Sequence, residues 1–128
     1  FSMPWMKKDL APGGIDGIVY YCGMAPFNNV IQQVMDELGI GVYYISTLAD
    51  LKEAKSLIGA KGLTCGVIDD VQLISWSAEE TRAEVQRMCE IGKVEGQFMF
   101  GTGVMPMAVP EANIHAMLEA AFDYGKTP

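Results

Sequence analysis

Four times between residue 15 and the C-terminus, a short and almost wholly apolar run is followed by a stretch whose apolar residues recur at helical spacing. Unbroken apolar runs mark parallel strands covered on both faces, and parallel neighbours need a crossover, usually a helix, between them. The alternation therefore predicts an α/β chain of four parallel βα units. The first strand is read as Gly17-Ile18-Val19-Tyr20-Tyr21-Cys22, stopped by Gly23. Its helix starts near Pro26, turns Val30, Ile31, Val34, Met35 and Leu38 to one face, and ends at Gly39. The second unit is Val42 to Ser46 with a helix from Ala49 to Ile58, its apolar face Leu51, Ala54, Leu57 and Ile58. The third strand, Leu63 to Ile68, ends at Asp69-Asp70. Ser77-Ala78-Glu79-Glu80 then reads as a capping box that starts a helix running to Ile91, with Gly92 as its stop. The fourth strand, Gln97 to Phe100, leads into Gly101-Thr102-Gly103. The last helix carries Ile114, Met117, Leu118, Ala121 and Phe122.

A Pro12-Gly13-Gly14 turn precedes these units, and no linker interrupts them. Units of this size suit a doubly wound sheet or a (β/α)8 barrel. A whole barrel takes about 250 residues, so 128 residues correspond to half of one. The chain is expected to form one domain over residues 1–128. Because it opens on Phe1, it is expected to belong to a longer protein.

Charge narrows the function classes. Nine Lys and Arg against 16 Asp and Glu give a formal charge of −7. Phosphate backbones and anionic bilayers are bound by basic surfaces, which argues against a nucleic-acid or membrane partner. No run approaches the roughly 18 apolar residues of a membrane span, and no signal peptide opens the chain. Cys22, Cys65 and Cys89 form no CxxC pair. A reducing, cytoplasmic setting is expected.

In either architecture ligands gather at the carboxyl ends of the strands. That rule nominates Tyr20, Tyr21, Cys22, Ser46, Thr47, Asp69, Asp70 and Thr102. Cys22 has the position for a metal ligand or nucleophile, and equally for a small buried hydrophobe. Asp69-Asp70 is the best carboxylate pair for orienting a substrate or accepting protons, although aspartates also cap turns. Alternation sends only one tyrosine of each pair, Tyr20-Tyr21 and Tyr43-Tyr44, inward. Gly101-Thr102-Gly103 lets backbone approach a ligand, but lacks the third glycine of a dinucleotide fingerprint. Met99, Met105 and Met107 suit an apolar wall, and His115, deep in the last helix, is read as structural or solvent-facing.

The order of motifs carries a resemblance. Tyr20-Tyr21-Cys22-Gly23, Met35-Asp36-Glu37-Leu38-Gly39, Gly66-Val67-Ile68-Asp69, Gly101-Thr102-Gly103-Val104-x-Pro106 and Pro110-x-x-Asn113-Ile114 together resemble the C-terminal half of the uroporphyrinogen decarboxylase superfamily. The resemblance covers nearly the whole chain. It implies the last four units of a (β/α)8 barrel, with Pro4-Trp5 in the helix preceding them. The superfamily includes porphyrinogen decarboxylases and cobalamin-linked methyltransferases. Its zinc-dependent methyltransferases carry His-x-Cys on the first of these strands and a further Cys in the last GxG. Here the cysteine is retained as Cys22, while Tyr20 stands for the histidine and Thr102 for the distal cysteine. Its decarboxylases place a histidine in the GxG, again Thr102 here, and their catalytic aspartate and arginine clamp belong to the N-terminal half.

The resemblance thus implies a methyltransferase-like protein passing a methyl group between a docked corrinoid protein and a small acceptor or donor. Cys22 is then a residual zinc ligand or pocket residue, Asp69 and Tyr20 orient the substrate, and Thr102 lines the loop. A cofactor-free porphyrinogen decarboxylase is the alternative. A noncatalytic half-barrel that pairs with itself, or with an N-terminal half-barrel, is the third expectation, because such a piece exposes two strand edges and an apolar inner face.

Overall fold

The computed structural model describes residues 3–10 and 18–126; the expected Pro12-Gly13-Gly14 turn and Gly17 lie outside them. A first helix, α1 (Met3–Leu10), precedes four βα units: β1 (Val19–Tyr20) with α2 (Ile31–Leu38), β2 (Val42–Ile45) with α3 (Leu51–Ile58), β3 (Leu63–Ile68) with α4 (Ala78–Gly92), and β4 (Gln97–Thr102) with α5 (Glu111–Tyr124). The strands form one sheet in the order β1-β2-β3-β4, every pairing parallel. A doubly wound sheet reverses its strand order at a switch point. Unbroken sequential order is that of a (β/α)8 barrel, and the chain supplies four of its units.

Register decides which side chains face where. Val19 pairs with Val42, Tyr44 with Cys65 and Cys65 with Met99, so these residues share one face with Tyr21 and Gly101. Tyr20, Tyr43, Ile45, Ile68, Phe98 and Phe100 take the other. On that second face Tyr43, Ile45 and Ile68 are fully buried together with Ile31 and Val34 of α2, Ile58 of α3 and Val85 and Met88 of α4. Burying a side chain of this size stabilises by about 1.5–3 kcal/mol. The helices cover this face, whereas Val19, Tyr21 and Met99 remain exposed on the other. The uncovered face corresponds to the inside of a barrel.

Local chemistry sets the element ends. Gly39 ends α2 at φ 68°, in the left-handed region that glycine enters without a Cβ clash, and its N–H donates to Met35 O at 3.0 Å. Ser77 and Glu80 form the full capping box of α4. Asp50, unread as a cap in the sequence, accepts from Glu53 N at 2.9 Å and starts α3 two residues later than expected. Gly92 is the last residue of α4 and not its stop, because a Cβ there would lie 2.1 Å from Phe98 Cδ1. It gives the Phe98 ring its seat on the helix.

Three expectations about the core need correction. Leu57 lies at the surface, and Lys55 takes the inward position on α3, its Nζ donating to the carbonyls of Glu95 and Gln97. Burial pushes the Lys55 amine below its ordinary pKa. Leu118 and Phe122 are 58% and 69% exposed, since α5 packs through Asn113, Ala116, Met117 and Ala120. Asn113 Nδ2 donates to Leu73 O and Trp76 O, which ties the start of α5 to the segment after β3. β1 is two residues long where six were expected, and the start of α2 is replaced by a 3₁₀ turn, Asn28–Val30. No helix among the described residues is long and apolar enough to cross a membrane.

Candidate active site at the strand tips

At the carboxyl ends of the strands, on the uncovered face, Val19, Tyr21, Tyr44, Thr102, Gly103 and Val104 line a cavity of about 420 Å³. That volume lies within the range of small-molecule sites. The rings of Tyr21 and Tyr44 meet edge to face, with centroids 5.4 Å apart and planes at 87°. Tyr44 extends from β2 past β3, and its hydroxyl donates to the backbone carbonyl of Thr102 at 2.6 Å. A Cβ at Gly101 would sit 3.4 Å from that hydroxyl, an ordinary van der Waals contact. Burial, then the Cys65 thiol and the Tyr21 phenol, raise the Tyr44 pKa above its ordinary value. The group is a neutral donor at physiological pH.

Asp70 lies beside Gly103: a Cβ there would come within 2.9 Å of Asp70 Oδ2, so the third position of Gly101-Thr102-Gly103 leaves room for that carboxylate. The spacing that the sequence offers as a backbone approach to ligand is first used by the chain's own side chains.

The nominated residues divide between this pocket and the framework. Thr102 is at the pocket, and its carbonyl holds Tyr44. Asp69 Oδ1 accepts from Val71 N at 3.1 Å and Gln72 N at 3.0 Å, the bonds of an Asx turn that starts the 3₁₀ segment Gln72–Ile74. Tyr20 lies on the helix-covered face, edge-on to Phe27 at 5.1 Å and beside Tyr43 at 6.3 Å. Burial, reinforced by the Cys22 thiol, pushes its pKa up to about 12. Cys22 is half-buried in the turn closed by Ala25 N donating to Cys22 O at 3.2 Å. Ser46 is buried; its Oγ donates to Met24 O and accepts from Leu48 N, holding the loop after β1 against the loop after β2. Thr47 lines a separate cavity of about 280 Å³ with Asp50, Asp69, Glu84 and Arg87, in which Glu84 holds Arg87 through two bonds of 2.8 and 2.6 Å. His115 is exposed, with Glu111 at 3.4 Å.

A zinc site needs three or four His, Cys, Asp or Glu ligands converging. No such group of three exists among the described residues. Cys22 has the Tyr20 phenol as its neighbour, and a phenol held near pKa 12 is a poor substitute for imidazole. These residues do not fit zinc.

Of the residues that line the pocket, the strand-tip rule nominates Tyr21 and Thr102 and misses Val19, Tyr44, Gly103 and Val104. Parity along one strand is legible, but both parities here are apolar or aromatic, so nothing local marks which one faces the inside. Gly101 and Gly103 carried the missing signal. They share parity with Met99, and register carries that parity through Cys65 to Tyr44.

Sequential parallel βα units covered by helices on one face, with a pocket at the strand tips of the other, give this chain the fold of half a (β/α)8 barrel. The family model described as uroporphyrinogen decarboxylase (URO-D) matches residues 1–124, and the chain belongs to that family. No curated protein and no solved structure matches it.

Proposed function

We propose that this chain forms the substrate-pocket half of a methyltransferase-like member of the uroporphyrinogen decarboxylase superfamily, handling a small substrate and a corrinoid protein docked at the barrel mouth. One observation carries the reading: the mouth is lined by Val19, Tyr21, Tyr44, Thr102, Gly103 and Val104, an aromatic and aliphatic wall with two hydroxyl groups from Tyr21 and Tyr44, a third from Thr102, and no charged side chain. A pocket of about 420 Å³ suits a small, weakly polar ligand. Within it Tyr44 donates one hydrogen bond and holds the Thr102 loop, and Tyr21 forms the outer wall. The corrinoid belongs to the partner.

The family description itself favours a second reading, cofactor-free porphyrinogen decarboxylation. The two separate in one paired assay of the full-length protein that carries this chain. Transfer of the methyl group from methylcob(III)alamin to an added thiol, giving the methyl thioether and cob(I)alamin and followed in the visible spectrum, is expected without any coproporphyrinogen from uroporphyrinogen. Coproporphyrinogen formation with no methyl transfer would replace the first reading by the second.

A further inference from the structure

We infer that the groove between α3 and α4 binds a small organic anion with an apolar tail, of the medium-chain monocarboxylate class. This groove belongs to the helical layer, shares no lining residue with the strand-tip pocket, and stands independently of the methyl-transfer reading.

A chain of formal charge −7 has nine cationic side chains, and three of them line this one groove of about 470 Å³: Lys52 and Lys55 from α3 and Arg87 from α4. Lys52 and Lys55 are three residues apart and so share a helix face. Lys55 is only 3% exposed, and its Nζ donates to the backbone carbonyls of Glu95 and Gln97. An ammonium has three N–H groups, so one is left over. Neither lysine forms an ion pair among the described residues. A buried charge is costly unless an opposite charge compensates it. At Lys55 burial outweighs the pull of Glu95 and holds the amine below its ordinary pKa, so the charge is undercompensated.

The groove has a cationic end and an apolar one. Arg87 is close enough to the start of α3 for Asp50 to reinforce its charge. Glu84 holds its Nε and Nη2, and Nη1 makes no bond among the described residues. One turn further along α4 comes Ile91, and then Val94, which is 64% exposed. Glu90 and Glu95 also line the groove, but Glu90 accepts from Gln86 Nε2 at 2.8 Å, and the cations remain in excess, three against two. Charge-assisted bonds from ammonium and guanidinium groups suit a carboxylate. Ile91 and Val94 gain by burying an alkyl chain. An inorganic anion would leave that surface wet, and an uncharged alkane derivative would leave Lys52 and Lys55 unpaired.

Saturation-transfer NMR titrations of the full-length protein with hexanoate, 1-hexanol and inorganic phosphate test this. Hexanoate is expected to bind about tenfold more tightly than either, since one lacks the charge and the other the chain. Lys52 is exposed, so Lys52→Glu does not disturb the core; it should lower hexanoate affinity about tenfold and leave 1-hexanol unchanged. Val94→Ser should weaken hexanoate about threefold without affecting phosphate. Tyr21→Leu, which alters the strand-tip pocket, should leave hexanoate binding as it is. Equal affinities for hexanoate and 1-hexanol, phosphate bound as tightly as hexanoate, or hexanoate binding that survives Lys52→Glu or falls with Tyr21→Leu would overturn the inference.

Discussion

Tyr20, Tyr21, Tyr43 and Tyr44 occupy two neighbouring strands, yet register gives them two occupations. Tyr20 and Tyr43 are packing groups under the helices, and burial pushes both pKa values up to about 12, assisted at Tyr20 by Cys22 and at Tyr43 by Asp36. A phenol pKa raised in the folded state contributes stability that is fully present below the unfolded value near 10, and that stability is lost as pH rises toward 12. Spectroscopic titration should therefore show two phenols ionising near pH 12, coincident with alkaline unfolding, and Tyr20→Phe should remove one of them. Gly92 gives a second test at this scale. Replacing it with alanine puts a methyl group into the Phe98 ring and should destabilise by about 1–3 kcal/mol in denaturant titration. Unchanged stability would mean that the ring is seated elsewhere.

Among the elements, α3 and α4 both begin at side-chain caps. Ser77-x-x-Glu80 is a pattern with its partners three residues apart, readable without a structure, and Ser77→Ala should cost about 1 kcal/mol by thermal or urea unfolding. Asp50 with Glu53 three residues on is a pattern of the same kind, and aspartate is a far better N-cap than Ala49, so this start is also legible in the sequence and the reading from Ala49 misses it. Four strands, their order of appearance and the three helices that connect them follow from apolar run length and helical spacing. The buried face of α5 does not, because Leu118 and Phe122 look like core residues at helical spacing. They lie outside because Asn113 is fixed by the Leu73 and Trp76 carbonyls, which sets the rotation of the helix. The site was half legible for the same kind of reason. The strand-tip rule reaches Thr102 and Tyr21, while the preference for Tyr20 over Tyr21 depends on register that only long-range pairing decides.

Among the described residues, one covered and one uncovered sheet face, with β1 and β4 at the edges of the sheet, describes half of a closed barrel. Unpaired edges and exposed apolar surface favour association. The 128-residue chain alone should sediment as a dimer or larger species; a monodisperse particle of 13.9 kDa would show that the uncovered face needs no partner. The functional account depends on which face carries the chemistry. The most direct measurement is kcat/KM for methyl transfer by the full-length protein with Tyr21→Leu and, in parallel, Tyr20→Phe. Loss of an aromatic wall should lower the value about tenfold for Tyr21→Leu, with Tyr20→Phe close to wild type. A collapse for Tyr20→Phe with Tyr21→Leu unaffected would place the active site on the helix-covered face and contradict the account.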